Sequence, residues 1–274
     1  MTDIGAAFRK LHIPGDPVIM VNVWDRGSAR MMQAMGAKAL ATSSAAHAFT
    51  LGRPDGGTIS RDEALTHAAE IVSAVTVPVQ GDFENGFGDD PDTCAETVRL
   101  AAEVGLAGIC IEDTILPTEE AYGFDLAVER IRAAASAARA LPRDFVLTAR
   151  ADGILTDAYE TDEAIRRLQA FANAGADCLY APIPPDMAAL TRICAEVPGP
   201  VNALVAGPFR AQSRADFAKA GVARLSLGSS LARLTHRVMH EAAQAMFGSG
   251  DFTPLQDGIG SGVIDALLDA PQKV

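Results

Sequence analysis

Acidic side chains stand at the ends of neighbouring apolar runs near the middle of the chain. Asp82 and Glu84 end one run, Glu112 ends the next, and Asp55 lies in a loop after an earlier run. Carboxylates that converge repel one another and raise each other's pKa, a conflict that a divalent cation removes. Oxygen ligands without His or Cys favour Mg²⁺, with Mn²⁺ as the alternative. The pattern therefore predicts a hydrated metal site.

A structural role competes with metal binding for these acids. Acidic residues at strand ends often cap the helices that follow. This interpretation applies above all to Asp25 and Asp113, which also end apolar runs. For Asp82, Glu84 and Glu112 taken together, metal binding is favoured over capping.

Arg150 is a cation at the end of a further apolar run, Val146–Arg150. A guanidinium there could grip a substrate carboxylate or phosphonate through two parallel hydrogen bonds. The alternative is a structural ion pair with Glu112 or Asp152. The sequence leaves both roles open.

Polar residues at two other strand ends complete the candidate site. Ser43 and Ser44, followed by Ala45, could offer hydroxyl and backbone N–H donors to an anion, or they could be ordinary turn residues. Asn202 lies in a later strand and is a further candidate for substrate binding.

The elements that must position these residues are eight short apolar strands separated by Ala-rich helical segments. Alternating strand and helix indicates βαβ units and a parallel sheet, and eight such units in about 250 residues match a (β/α)₈ barrel. An open doubly wound sheet is the alternative, but no GxGxxG follows the first strand. The predicted strands are Pro17–Val23, Ala39–Thr42, Val77–Asp82, Gly108–Ile111, Val146–Arg150, Cys178–Ala181, Val201–Leu204 and Arg224–Leu227.

A local repeat supports iterated units. Gly36, Gly105, Gly175 and Gly221 each end a helical segment shortly before a strand, as expected of helix C-caps. In a barrel of this kind the active site lies at the carboxyl ends of the strands. We expect residues 1–274 to form one barrel domain, with a helical tail from about residue 231 that contains helices near 231–247 and 261–268.

Composition excludes several functions. Lys and Arg number 23 against 35 Asp and Glu, a net charge of −12 that argues against a nucleic-acid partner. No run of about 18 apolar residues predicts a membrane span. The N-terminus resembles no secretory signal, and the four cysteines show no CxxC pairing, so we expect reduced thiols in a cytoplasmic protein. No lysine stands at a strand end for a Schiff base, and His47 near the site is interpreted as a packing residue.

Five motifs at these strand ends resemble the isocitrate lyase/phosphoenolpyruvate mutase superfamily over nearly the whole chain. The resemblance implies a (β/α)₈ barrel and a tetramer whose neighbouring subunits exchange a C-terminal helix. It also implies a small 2-oxo or 2-hydroxy carboxylic acid as substrate and a reaction through an enolate beside Mg²⁺. The motifs are Ala41–Ala45, Leu51–Gly56, Asp82–Gly88, Ile111–Asp113 and Thr148–Asp152.

The resemblance also implies roles for single residues. Asp82 would hold Mg²⁺ directly, with Asp55, Glu84 and Glu112 acting through water. For the substrate, Ser44, its following backbone amides and Arg150 would hold the oxo-carboxylate.

One departure from the family affects the chemistry. The family's Lys-(Lys/Arg)-Cys-Gly loop after the fourth strand is replaced by residues 114–123, which contain neither Cys nor Lys. The cysteine that would protonate the departing carbanion is therefore absent, and Tyr122 in this loop is a candidate substitute acid. Arg150 and Glu112 are the other candidate catalytic residues. Three functions remain open: a carbon–carbon lyase, a hydrolase or mutase acting on a P–C bond, and a silent barrel that binds an α-keto acid.

Overall fold

The computed structural model describes residues 3–270. Eight parallel strands form a closed barrel in the order β1-β10-β9-β8-β7-β4-β3-β2, and β5 and β6 form a separate antiparallel hairpin. The predicted (β/α)₈ barrel is thus confirmed. The strands are β1 Val18–Asn22, β2 Leu40–Ala41, β3 Val79–Asp82, β4 Gly108–Glu112, β5 Thr114–Ile115, β6 Glu120–Ala121, β7 Val146–Arg150, β8 Cys178–Tyr180, β9 Val201–Leu204 and β10 Arg224–Ser226.

Helices connect the barrel strands and cover most of the outer surface. The helices are α1 Ile4–Arg9, α2 Arg26–Ala34, α3 Ser44–Thr50, α4 Arg61–Ala74, α5 Pro91–Glu103, α6 Phe124–Arg139, α7 Thr161–Ala174, α8 Met187–Glu196, α9 Arg214–Lys219, α10 Ser230–Ser249 and α11 Ser261–Leu268, with 3₁₀ helices at Gly207–Ala211 and Thr253–Asp257.

The predicted glycine repeat has the expected backbone conformation. Gly36, Gly105, Gly175 and Gly221 have φ angles of 101°, 93°, 110° and 87°. These angles lie in the left-handed region, which side chains with a Cβ adopt rarely. Each glycine turns the chain from the end of a helix into the next strand, which brings the carboxyl ends of all eight strands to one rim.

A buried polar layer closes the opposite end of the barrel. The side chain of Arg224, 1% exposed, donates hydrogen bonds to Gln80 Oε1 at 2.6 Å, Asn202 Oδ1 at 2.9 Å and Thr148 Oγ1 at 3.2 Å. His12 Nε2 lies 3.2 Å from the same guanidinium. Because this layer fills the barrel interior, a ligand can enter only from the carboxyl rim.

The tail leaves apolar surface uncovered. The expected long helix is α10, whose Leu234 and Val238 are 50% and 56% exposed. On the barrel, Ile19 of β1 is 46% exposed at an open groove of about 480 Å³ between α2 and α9. The last helix of a (β/α)₈ barrel would normally pack over such a strand. The expected short helix is α11, which packs against α2.

The structure also bears on the expectations about membrane spans and about the cysteines. No helix among residues 3–270 is long and apolar enough to cross a membrane. All four cysteines are free thiols, and three of them are buried.

Candidate active site

A pocket of about 440 Å³ opens at the carboxyl rim, a size that suits a small acid. It contains almost all residues that the sequence analysis assigned to metal or substrate. The polar and charged side chains that line it are Ser43, Ser44, Asp55, Asp82, Glu84, Glu112, Thr114, Glu119, Arg150, Asp152, Thr156, Tyr180, Arg210, Ser229, Ser230 and Arg233.

Four carboxyl groups of the predicted metal site share this pocket. Burial, together with the nearby carboxylates, raises the pKa of Glu84 to about 7 and raises the pKa values of Asp55 and Glu112. Glu84 is 5% exposed and has a φ of 46°, and it accepts a hydrogen bond from Gly57 N at 3.2 Å. The pocket therefore concentrates negative charge that is poorly solvated.

The donor set fits a hydrated divalent cation. No group of three or more His, Cys, Asp or Glu side chains in the described part of the chain is arranged to hold a metal ion by itself. Mg²⁺ keeps several waters and commonly uses only one or two protein carboxylates, and the pocket lining supplies at least that many. A cation would also reduce the repulsion among these carboxylates, which contributes to their raised pKa values.

Arg150 makes ion pairs on two sides. Its Nη1 lies 3.0 Å from Glu112 Oε2, and its Nε and Nη2 bind both carboxylate oxygens of Asp152. Glu112 and Arg150 are direct partners in the β4–β7 register, and Arg150 and Tyr180 are partners in the β7–β8 register. The ion-pair interpretation is confirmed, while the guanidinium still lines the pocket.

The two serines begin α3 rather than form a plain turn. Ser43 is the N-cap residue, and its hydroxyl accepts a hydrogen bond from Ala46 N at 3.2 Å. Ser44 donates from its backbone N–H and its hydroxyl to Asp82 Oδ2 at 2.9 and 3.0 Å. Ser43, Ser44 and Ala45 all line the pocket, as predicted.

Helix capping, the alternative role expected above all for Asp25 and Asp113, is found for Asp25 only. Asp25 caps α2, with its carboxylate accepting a hydrogen bond from Ser28 N at 2.6 Å. Asp113 caps no helix. Instead it accepts hydrogen bonds from Asp152 N at 2.8 Å, from Tyr159 Oη at 2.8 Å and from Arg167 Nη1 at 2.9 Å.

Tyr122 does not reach the pocket. It lies in the segment that follows the β5–β6 hairpin, and its hydroxyl donates to Asp89 Oδ1 at 2.5 Å and accepts from Asn85 Nδ2 at 3.0 Å. Its ring packs 4.1 Å from the guanidinium carbon of Arg130, and burial raises its pKa. The structure thus corrects the expectation that Tyr122 is a substitute acid in the site.

Asn202 is also placed away from the pocket. It is fully buried, donates to Ser226 Oγ at 2.8 Å and accepts from Arg224, as part of the polar layer described above. Both ends of its side-chain amide are thus used in hydrogen bonds within the protein, which gives Asn202 a structural role. The expectation that Asn202 binds substrate is therefore corrected as well.

A buried cation fixes the loop that carries Glu84. Arg130 of α6, 1% exposed, donates to the carbonyl oxygens of Asn85 and Gly88, the latter at 2.5 Å. Asn85 Oδ1 in turn accepts from Phe87 N at 3.0 Å. These contacts hold the left-handed backbone at Glu84 in place.

Several side chains that line the pocket were missed by the sequence analysis, among them Tyr180, Arg210 and Arg233. Tyr180 ends β8, Arg210 lies in the 3₁₀ helix after β9, and Arg233 lies in the first turn of α10. Tyr180 sits in an apolar run and has the pattern of a core residue. The two arginines lie beyond strand ends, among other charged residues, and only the folded connections bring them to the rim.

Comparisons with known proteins agree with this geometry. A family model described as phosphoenolpyruvate phosphomutase matches residues 8–247. A structure from Burkholderia cenocepacia J2315, provisionally described as a lyase/mutase, is 42% identical, covers 98% of this chain and 96% of its own, and has a TM-score of 0.93.

Two characterised enzymes are also similar. The 2,3-dimethylmalate lyase of Eubacterium barkeri is 31% identical over 71% of this chain and 68% of its own. Oxaloacetate acetylhydrolase, solved with its product oxalate, is 25% identical, covers 98% of this chain and 95% of its own, and has a TM-score of 0.85. The chain therefore belongs to the phosphoenolpyruvate mutase family and is an enzyme of the isocitrate lyase/phosphoenolpyruvate mutase superfamily.

Proposed function

We propose that this enzyme is a Mg²⁺-dependent lyase that cleaves a carbon–carbon bond of a small 2-oxo or 2-hydroxy carboxylic acid. The observation that carries the proposal is the meeting of Asp82, Glu84 and Glu112 with Arg150 in one pocket. Lyases acting on such acids are among its relatives. The carboxylates of this site attract a metal cation, and the guanidinium attracts an anionic substrate.

In this proposal Asp82 binds Mg²⁺ directly, while Asp55, Glu84 and Glu112 act through water. Mn²⁺ could replace Mg²⁺ because it accepts the same oxygen ligands. When bound, the cation supplies positive charge that stabilises the negative charge left on the substrate as the bond breaks. The loop contacts of Arg130 keep Glu84 in reach of the cation's water shell.

The substrate's oxo-carboxylate would lie between Arg150 and the start of α3. Ser44 offers a hydroxyl and a backbone N–H, and Ala45 offers a second N–H at a helix N-terminus. Arg150 supplies the opposing charge, with its orientation held by Asp152. In this proposal these groups bind and orient the substrate.

A second anionic group of the substrate would meet Arg210 and Arg233. Both side chains are exposed and line the pocket, and neither forms an ion pair with any described residue. Since Arg150 is already paired with two carboxylates, these two arginines carry the uncompensated positive charge of the pocket. The substrate is therefore proposed to be at least a dianion, such as a dicarboxylate.

The same two arginines support a second candidate function, cleavage or transfer of a P–C bond. A phosphonate also carries a second negative charge, and arginine forks match its oxygens. The matching family model bears the name of a phosphomutase. Release of inorganic phosphate from phosphonopyruvate would distinguish a hydrolase from the lyase.

The test is a turnover screen of the purified protein with Mg²⁺. The substrates are oxaloacetate, isocitrate, 2-methylisocitrate, 2,3-dimethylmalate and phosphonopyruvate, read out as pyruvate or glyoxylate formed and as phosphate released. Turnover that is lost in Asp82→Ala supports the lyase. Mg²⁺-dependent binding of an α-keto acid without turnover of any substrate would favour the silent binding barrel instead.

We also propose a homo-oligomer, a tetramer by family resemblance, in which neighbouring subunits exchange α10. The open groove at Ile19 lies where a final barrel helix would pack, and α10 carries unpaired apolar residues such as Val238. An α10 from a second copy would cover both surfaces. A cytoplasmic location, expected from the reduced thiols, stays a prediction.

A further inference from the structure

Tyr180 places a hydroxyl without a partner in the active-site pocket. The residue ends β8, is 6% exposed and lines the pocket. Its hydroxyl forms no hydrogen bond with any residue between 3 and 270, although buried tyrosines usually find a partner. The hydroxyls of the other two tyrosines, Tyr122 and Tyr159, both donate to aspartates outside the pocket.

The barrel order places Arg150 between Tyr180 and the proposed metal-site residues Asp82 and Glu112. Asp82 ends β3, Glu112 ends β4, Arg150 ends β7 and Tyr180 ends β8, and these strands are neighbours in that sequence. The guanidinium carbon of Arg150 lies 5.4 Å from the centre of the Tyr180 ring. A substrate held by Arg150 therefore has the metal ligands on one side and the phenol on the other.

Cleavage of a carbon–carbon bond leaves an electron pair on one carbon, which must receive a proton. No Cys, His or Lys is among the described residues that line the pocket. Asp55, Asp82, Glu84 and Glu112 belong to the proposed cation site, where a cation draws them into their charged form. Asp152 is held as a carboxylate by Arg150, and Glu119 is exposed to solvent on the hairpin. Among the remaining hydroxyls, the phenol is the most acidic, because alcohols ionise far less readily.

We propose that Tyr180 is the general acid that protonates the carbon fragment released by bond cleavage, a role that rests on the proposed lyase function. As the C–C bond breaks, its electron pair stays on the leaving carbon. In a 2-hydroxy acid the hydroxyl O–H bond breaks at the same time, its proton passes to water and its oxygen forms a C=O bond with the other carbon. The Oη–H bond of Tyr180 then breaks as a new C–H bond forms. Arg150 stabilises the resulting phenolate, which regains a proton from water when the product leaves.

The experiment compares Tyr180→Phe with the wild type on the substrate that turns over in the screen. General-acid catalysis contributes about 10²–10⁴-fold, so kcat is expected to fall at least about 100-fold, while KM changes less than about threefold. Because the hydroxyl has no partner, the variant is expected to fold and to melt within a few degrees of the wild type. Tyr159→Phe, which removes the same atom outside the pocket, is the matched control and is expected to stay within about threefold in kcat.

A binding measurement separates proton donation from substrate holding. Oxalate, a planar dianion with an oxo-acid-like oxygen pair, is titrated calorimetrically with Mg²⁺ present. Tyr180→Phe is expected to bind oxalate within about threefold of the wild type. An equal loss of oxalate affinity and kcat, or a kcat equal to that of the wild type, would overturn the general-acid role while leaving the lyase function intact.

Failure of the proposed function gives a different result. A wild type that binds oxalate with Mg²⁺ but turns over none of the substrates is a binding protein, and the acid role falls with the lyase. A wild type that neither binds oxalate nor turns over any substrate contradicts both proposals.

Discussion

Ser44 donates both its backbone N–H and its hydroxyl to one oxygen, Oδ2, of Asp82, at 2.9 and 3.0 Å. One residue is the proposed anion donor and the other is the proposed metal ligand. The two groups therefore satisfy each other's hydrogen-bonding needs without a ligand. A cation that binds Asp82 competes with Ser44 for this oxygen and frees its donors for an anion.

We expect this exchange to couple the binding of metal and substrate. Mg²⁺ should raise oxalate affinity about tenfold or more, which corresponds to about 1.4 kcal/mol of coupling. In Asp82→Ala the enhancement should disappear. Calorimetric titration of oxalate with and without Mg²⁺, corrected for the complex that the two form in solution, measures it. Equal affinities for the wild type under both conditions would contradict the coupling.

Tyr122→Phe should alter stability rather than catalysis. The change leaves the buried Nδ2 group of Asn85 and the carboxylate of Asp89 without the tyrosine hydroxyl, which costs about 1–2 kcal/mol of unfolding free energy. Because Tyr122 does not line the pocket, kcat should stay within about threefold of the wild type. Urea unfolding and steady-state kinetics measure the two effects. A kcat loss above tenfold at unchanged stability would restore the sequence-based role of Tyr122.

The sequence predicted the site well where one rule connects a residue's position in the chain with its location in the fold. Parallel strands in a barrel end at one rim, so residues that follow apolar runs had to converge. This rule brought Asp82, Glu84, Glu112 and Arg150 together without knowledge of any contact. Asp55 was a weaker candidate from its loop after the second strand, and the motif match strengthened its assignment to the site.

The errors have physical causes that the sequence does not display. Tyr122 lies in a loop, but contacts with Arg130 and Asp89 hold it in the buried core, away from the pocket. Asn202 lies in a barrel strand, but the stagger between strands sets the depth of each side chain. Tyr180 has the same apolar neighbours as a core residue, and only its free hydroxyl marks it as part of the site.

Arg233→Gln should weaken binding of substrates that carry a second anionic group. Removing one uncompensated guanidinium from the pocket should raise KM about tenfold and change kcat little, because the arginine lies away from the oxo-carboxylate end. Arg237→Gln is the matched control, since Arg237 lies one turn farther along α10 and pairs with Glu241 at 3.6 Å. Equal KM values for the two variants would contradict a second anion site.

Ile19→Glu and Val238→Glu should each convert the oligomer into smaller species. Both residues are about half exposed in a single chain, and a charge placed there would be buried without a partner in an exchanged-helix contact. Light scattering after size-exclusion chromatography measures the mass. Leu126→Glu, at another exposed apolar residue of 37% exposure, is the matched control and should keep the wild-type mass. A monomeric wild type would contradict the proposed exchange.

Acid should destabilise the fold through a stacked histidine pair. The rings of His47 and His67 lie 3.8 Å apart and are nearly parallel. Burial, with the neighbouring His67, lowers the pKa of His47 to about 4, and burial also lowers the pKa of His67. The unfolded chain, with a histidine pKa near 6.5, therefore binds more protons than the folded one below that pH. Stability from this pair is present above pH 6.5 and is lost as the pH falls toward 4.

His47→Gln isolates this contribution from other titrating groups. The buried carboxyls Glu84 and Glu112 have raised pKa values and act in the opposite direction, so the difference between variant and wild type is the relevant quantity. The wild type should lose about 1 kcal/mol or more relative to the variant between pH 7 and pH 4.5. Urea unfolding at several pH values measures it, with His240→Gln on the exposed face of α10 as the control. Parallel stability curves for His47→Gln and the wild type would show that the stacked pair titrates normally in the folded protein.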